Sequence, residues 1–150
     1  MKKENIFSKN RLVTAKSKYF TGHVKMKEIA PVIKSKEQNV YHVTFNGAKT
    51  KLHQHSGGQI LIVIKGKGKL EIYNKTSGGK TRFAIKKIQE TKLGVGDIVY
   101  IPANRLHVHG SIDSKTRFSH VALNSYYKNK PPKTTWYESD FKTVVTKIIQ

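Results

Sequence analysis

Short apolar runs recur along the chain, and clusters of glycine, asparagine and serine separate them. Runs of this length, rich in valine and isoleucine, are typical of β-strands. Short strands at such regular spacing favour a sandwich or a barrel. The pattern predicts nine strands, over residues 20–29, 40–45, 51–55, 60–64, 70–73, 82–88, 98–101, 106–108 and 118–123.

The end of the chain departs from this strand pattern. Four apolar residues fall at the i, i+3, i+4 and i+7 positions of a helix and would form one apolar face: Phe141, Val144, Val145 and Ile148. Ser139 or Asp140 can cap such a helix at its N-terminus. We therefore predict a short C-terminal helix that closes one side of the barrel or forms a dimer contact.

The length of 150 residues is that of one domain. Residues 1–18 are polar and basic with no sustained period, so they predict an N-terminal arm that is ordered only where it packs on the rest. Residues 19–150 are then expected to form a single barrel domain that includes the C-terminal helix.

No stretch approaches the length of apolar sequence that spans a membrane, and the first residues lack the apolar segment of a signal peptide. We therefore expect a cytoplasmic protein that does not enter a membrane. The chain has no cysteine, which excludes disulfides and thiolate ligands. Histidine, carboxylate and amide groups are left as ligands for any metal.

The formal net charge is +20, from 29 Lys plus Arg against 9 Asp plus Glu. Such a surface attracts polyanions without specificity. Only Arg11, Arg82, Arg105 and Arg117 could offer bidentate contacts to phosphate or guanine, so we expect no specific nucleic-acid partner. A solvated lysine-rich surface and electrostatic steering of small anions both remain open as explanations of the charge.

Two histidines one residue apart are candidate metal ligands. On a strand, His53 and His55 would project from the same face about 6.6 Å apart, so both imidazoles could bind one ion. The Ser-Gly-Gly sequence at 56–58 favours a bend that brings Gln59 back toward the pair. His107, on a later predicted strand, is the candidate fourth ligand. By itself, however, such a histidine pair is more often polar surface than a metal site.

Two spaced motifs make a resemblance to a known family specific. The first motif of the cupin superfamily is similar to Gly47, five residues, His53, one residue, His55, three residues, Gln59, six residues and Gly66. The second motif is similar to Gly96, five residues, Pro102, and then Asn104, His107 and Ser111. The resemblance implies an all-β fold, the cupin double-stranded β-helix, which is a jelly-roll-like barrel.

Three residues depart from these motifs. Gln59 stands where glutamate is usual, Asn104 where glycine is usual, and Ser111 where asparagine is usual. Asparagine enters the left-handed region of backbone space readily, so Asn104 can still make the turn. The departures leave the expected fold unchanged.

Along nearly its whole length the chain resembles one cupin group, small single-domain proteins that include the manganese-dependent hydroxynitrile lyases. The resemblance rests on YFTGHVKM, GGQILIV, GDIVYIP, HVHG, SHVAL and a late tryptophan, Trp136. It implies one divalent metal ion per chain, manganese, bound by His53, His55, Gln59 and His107. It also implies a catalytic histidine at His120, one residue later than a gap-free alignment would put it. The residues themselves leave Fe, Ni, Co and Zn open.

A glutamine ligand changes the charge of such a site. Three neutral imidazoles and an amide leave a divalent ion at +2, whereas a carboxylate in place of the amide would leave it at +1. We therefore expect a stronger Lewis acid that favours small anionic or metal-chelating substrates.

Strand alternation extends the pocket beyond the ligands. If His120 faces inward, so do Ala122 and Asn124, while Val121 and Leu123 pack outside. His120 would then act as general acid or base, or serve as a hydrogen-bonded residue of the pocket wall. Further candidates for residues that line the pocket or orient a ligand are His109, Tyr41 and Val43.

Three functions are compatible with this pattern. The first is a metal-dependent lyase in which His120 moves a proton, as in cleavage of an α-hydroxynitrile. The second is a dioxygenase that uses the same metal, and the third is a non-catalytic binding module for a small anion or sugar acid. Cupin barrels commonly pair through sheet edges and exchanged terminal strands, so we also expect a homodimer or a higher homo-oligomer.

Overall fold

The alternating strands build two antiparallel sheets that pack against each other. The structure is a computed structural model that describes residues 2–150. Its strands are β1 Val13–Thr14, β2 Val24–Glu28, β3 Gln38–Asn46, β4 Leu52–His55, β5 Gln59–Gly66, β6 Gly68–Gly78, β7 Phe83–Leu93, β8 Ile98–Ile101, β9 Leu106–Ser111, β10 Arg117–Ser125, β11 Thr134–Ser139 and β12 Val144–Ile149. A four-residue helix, α1, spans Ala30–Ile33.

The first sheet has six strands in the order β1-β2-β3-β10-β5-β8. The second sheet has the order β11-β12-β7-β6-β9-β4, and it closes on itself because β11 also pairs with β4. The nine predicted strands are confirmed as β2 to β10, and the predicted all-β barrel is confirmed with them. β6 continues to Gly78 and β7 begins at Phe83, so residues 79–82 form the turn of this hairpin.

Two apolar clusters stabilise this arrangement. One lies between the sheets and includes Phe45, Leu61 and Phe118, each of them fully buried. The other lies inside the closed second sheet and is built from Leu52, Tyr73, Phe83, Ile85, Leu106, Val108, Tyr137 and Val145. Burial of one such side chain contributes roughly 1.5–3 kcal/mol to stability. The second sheet thus has a core on each of its faces.

The predicted C-terminal helix is wrong, because residues 134–149 form the hairpin of β11 and β12. The Asp140 carboxylate accepts hydrogen bonds from the backbone N–H groups of Lys142, Thr143 and Val144, so it stabilises a turn instead of capping a helix. Phe141 lies in this turn with a φ of 60°. The β-branched residues that follow suit a strand, and β4 and β7 offer unpaired edges that a helix could not satisfy.

The N-terminal arm is attached to the outer face of the first sheet. Lys27 is 0% exposed, and its ammonium group donates hydrogen bonds to the carbonyl oxygens of Asn5 and Ser8 and to the Ser8 hydroxyl. His42 donates to the Ile6 carbonyl oxygen at 2.8 Å. The division of the chain into an arm of residues 1–18 and a domain of residues 19–150 stays a prediction.

The N-terminal strands pair within the chain, because β2 pairs with β3 and β1 pairs with β2. Within residues 2–150, no helix has both the length and the apolar character needed to cross a membrane.

Replacing Lys27 with methionine should lower the free energy of unfolding by about 1–3 kcal/mol, because the Asn5 and Ser8 carbonyl oxygens and the Glu4 carboxylate of the arm lose the buried ammonium group that binds them. Urea denaturation checks the stability, and limited trypsin digestion checks whether the arm detaches. Lys25→Met, at an exposed position of the same strand, is the matched control and should change stability by no more than about 0.5 kcal/mol. Equal effects of the two variants would contradict the role assigned to Lys27.

Candidate metal centre

The inner faces of the two sheets enclose a cavity of about 530 Å³. The second sheet contributes His53 and His55 from β4 and His109 from β9. The first sheet contributes the predicted ligand Gln59, the predicted catalytic residue His120 and four predicted pocket residues from β3 and β10: Tyr41, Val43, Ala122 and Asn124. Val121 and Leu123 lie on the opposite face, where they pack against a separate apolar cluster as predicted.

The three histidines of the predicted ligand set lie together beside this cavity. His53 and His107 are directly opposite each other in the pairing of β4 with β9. His53, His55 and His107 are all buried, and one ring nitrogen from each lies within 4.8 Å of the others. These three imidazoles could therefore hold one metal ion.

Each of these imidazoles is oriented through its Nδ1 atom. His53 Nδ1 donates to the Lys51 carbonyl oxygen at 2.9 Å, and His107 Nδ1 donates to the Arg105 carbonyl oxygen at 2.7 Å. His55 Nδ1 lies 2.8 Å from the Thr134 hydroxyl. The two carbonyl contacts select the tautomer that leaves the Nε2 lone pair of His53 and His107 free for a metal, and the Thr134 hydroxyl can accept from Nδ1 of His55 in the same way. Among residues 2–150, the buried Nε2 atom of His55 has no hydrogen-bond partner.

The Gln59 amide is held with its oxygen toward the histidines. Its Nε2 donates to Asn124 Oδ1 at 2.7 Å, and its Oε1 lies 3.2 Å from Nε2 of His107. Because Nδ1 of His107 carries the ring proton, these two facing atoms both present lone pairs. Two electron-pair donors at this separation repel each other unless a cation lies with them, so the donor set fits a divalent ion.

The protonation states suit metal binding. Burial lowers the pKa of His55 to about 4 and the pKa of His107 to about 3. Burial, followed by the neighbouring imidazoles, also lowers the pKa of His53 well below its ordinary value. All three rings are therefore neutral at pH 7, and metal binding need not displace a proton from them.

A second pair of buried histidines adjoins this group. His120 Nε2 lies 3.1 Å from His109 Nδ1, so one proton is shared between the rings. The outer nitrogens, His120 Nδ1 and His109 Nε2, have no hydrogen-bond partner in the described part of the chain, residues 2–150. The His109 ring centroid lies 5.4 Å from that of His53. His109 therefore stands between His120 and the three-histidine group.

Sequence reasoning missed the contributions of β11 and of the segment before β2. Thr134 orients His55, and the Trp136 ring stacks on His53 with centroids 4.3 Å apart. These residues lie opposite His55 and His53 in the pairing of β11 with β4. Residues 13–16, Tyr19 and Phe20 also line the cavity. Thr134 and Trp136 are spaced as residues on one face of a strand, which could have indicated β11. The helix predicted for the following residues argued against a strand there.

Comparisons with known proteins agree with this class of barrel. The sequence profile of the cupin domain matches residues 41–118. A cupin-like protein from Thermotoga maritima is 33% identical over 91% of this chain and 90% of its own, with a TM-score of 0.65. The chain therefore belongs to the cupin superfamily.

More distant structures share the fold alone. A cupin superfamily protein from Desulfitobacterium hafniense is 15% identical over 69% of this chain and 78% of its own, with a TM-score of 0.50. Oxalate decarboxylase from Bacillus subtilis, which has Mn(II) centres, is 19% identical over 77% of this chain and 28% of its own, with a TM-score of 0.53. No curated protein sequence matches the chain.

Protein purified without affinity nickel should contain close to one divalent ion per chain, and His107→Ala should bind that ion at least about tenfold more weakly because a ligand is lost. Elemental analysis by mass spectrometry measures the content. His109→Ala, equally buried on the same strand and face, is the matched control and should keep the metal. Equal metal loss in both variants would contradict the assignment of His107 as a ligand. Wild-type protein that takes up none of Mn, Fe, Ni, Co and Zn when each of these ions is supplied would contradict the metal site itself.

Proposed function

We propose that this cupin is a metal-dependent lyase that acts on a small oxygen-bearing substrate, in the manner of a hydroxynitrile lyase. The observation that carries the proposal is the position of His120, which lines the cavity of the metal centre and hydrogen-bonds His109 at 3.1 Å. The proposed ligands are His53, His55, Gln59 and His107, and manganese is the proposed ion. A divalent ion held there would supply a Lewis acid that polarises a substrate oxygen.

The donor set supports a substrate that develops negative charge. Four neutral ligands leave the full +2 charge of the ion uncompensated. The residues that line the cavity include one carboxylate, Glu28, which is exposed at the rim, and one lysine, Lys16, which is also exposed. Inside, the wall is apolar or neutral, so charge on the substrate is not screened by competing side chains.

The histidine pair can transfer a proton in either of its arrangements. When His120 donates to His109, the outer nitrogen of His120 has a lone pair and that of His109 has an N–H. When His109 donates, these roles are reversed. Burial lowers the pKa of His120 to about 3, which keeps the ring neutral. The pair therefore offers one base and one acid at pH 7.

Cleavage of an α-hydroxynitrile uses both roles. The base takes the hydroxyl proton, the C–C bond to the nitrile carbon breaks, and the aldehyde carbonyl forms. Cyanide leaves with the electron pair of that bond and is protonated to hydrogen cyanide. The Trp136 and Phe20 rings, which are packed 5.8 Å apart at the cavity wall, would cover an apolar substituent of the substrate.

A homodimer stays part of the proposal, and an apolar strip on the outer face of the first sheet supports it. Ile98 and Tyr100 on β8 are each 66% exposed, and they lie beside Ile62 and Ile60 on β5. A second copy could approach this uncharged strip more easily than the rest of a surface with a net charge of +20. Location in the cytoplasm stays a prediction from the sequence.

His120→Ala should lower kcat/KM for mandelonitrile cleavage by about 10²–10⁴-fold, the usual contribution of a general acid or base, and should leave the metal content unchanged. Benzaldehyde absorbance measures turnover. His42→Ala removes a histidine from the opposite face of the same sheet and should stay within about twofold of wild type. Unchanged turnover in His120→Ala would refute its role, and oxygen uptake with a catechol or enolate substrate would favour the dioxygenase.

Gln59→Glu should keep the metal but bind azide at least about tenfold more weakly, because the carboxylate lowers the charge of the loaded site from +2 to +1. Electron paramagnetic resonance of the Mn(II)-loaded protein measures the dissociation constant. Gln54→Glu makes the same change of charge on the opposite face of β4 and should have little effect. Tighter azide binding in Gln59→Glu would refute the charge argument.

A further inference from the structure

A second cavity of about 540 Å³ opens on the far side of β4 from the histidines. It shares none of its lining residues with the cavity of the metal centre. Gln54, which alternates with His53 and His55 along β4, projects to this side. The cavity is formed where the second sheet closes on itself, between β4, β6, β9 and β11.

The charged side chains that line this cavity are all cations. They are Lys75, Lys80 and Arg105, and within residues 2–150 none of them forms an ion pair with a carboxylate. Lys69 and Lys87, farther along the β6–β7 hairpin that carries Lys75 and Lys80, are by contrast paired with Glu71 and Glu90. Arg105 donates one N–H to Asn74 at 2.9 Å, which leaves the rest of its guanidinium fork available for an anion.

The floor of the cavity is apolar and includes one tyrosine. Phe83 and Leu106 are buried there and belong to the core of the second sheet. Tyr137, which is 6% exposed, also lines the cavity. Its hydroxyl is a donor from which an anion in the cavity could accept a hydrogen bond.

We propose that this second cavity is a binding site for an organic anion with a ring-sized apolar body, such as an aromatic phosphate or carboxylate. The cations and the free fork of Arg105 bind the anionic group, and the aromatic and aliphatic floor covers the apolar body. Tyr137 donates a hydrogen bond to the ligand. The lining residues of this cavity differ from those of the metal centre's cavity, so ligand binding here can be tested separately from the proposed lyase activity.

Calorimetric titration of the metal-loaded protein with phenyl phosphate tests the proposal. We expect binding at least about tenfold tighter than that of inorganic phosphate, which lacks the apolar body, or of benzyl alcohol, which lacks the charge. Arg105→Gln should weaken phenyl phosphate binding at least about tenfold. Lys80→Gln, at an exposed position, should weaken it severalfold and provides the test if Arg105→Gln does not fold.

The two cavities can be distinguished in the same titration. Lys16→Gln removes the lysine of the first cavity and should leave phenyl phosphate binding unchanged. Trp136 is the single tryptophan of the chain and lines the first cavity, so its fluorescence reports ligands that bind there. The proposal would be overturned by binding that quenches Trp136 and persists in Arg105→Gln, by benzyl alcohol binding as tightly as phenyl phosphate, or by no binding at millimolar concentrations.

Discussion

The pairing of β4 with β9 is the contact on which the candidate site depends. It sets His53 directly opposite His107 on one inner face and places His55 beside them. The same strands present Leu52 and Leu106 to the core inside the second sheet. Because residues alternate between the two faces, apolar burial on one side of these strands fixes the positions of the imidazoles on the other. A slip of one residue in register would exchange the two sets.

The fourth candidate ligand comes from the other sheet, so the site also depends on how the sheets pack. Gln59 is oriented by Asn124, its neighbour in the pairing of β5 with β10. The apolar residues between the sheets, Leu61 and Ala122 among them, determine how closely these strands approach β4 and β9. The turn that contains Asn104 and Arg105 joins both cavities. Its Asn104 N–H donates to the His55 carbonyl, its Arg105 carbonyl orients His107, and its side chains line the second cavity.

The local sequence pattern predicts a strand correctly where the neighbouring strands favour the same conformation as the segment's own residues. The nine strands from β2 to β10 follow alternation and turn residues, and the departure at Asn104 has the positive φ of 61° that the turn requires. The C-terminus was misjudged because Phe141, Val144, Val145 and Ile148 satisfy a helical period as well as a strand. The choice depended on the open edges of β4 and β7, which belong to residues far away in the sequence.

The sequence by itself determined the all-β fold, the identity of the candidate ligands and the inward face of β10, because motif spacing and alternation are local properties of the chain. Only the tertiary structure decided that Thr134 and Trp136 support the ligands, that His109 pairs with His120, and that Asn124 turns the Gln59 oxygen toward the histidines. Each of these contacts joins strands that are distant in sequence, and their distances depend on sheet packing and register, which no local pattern specifies.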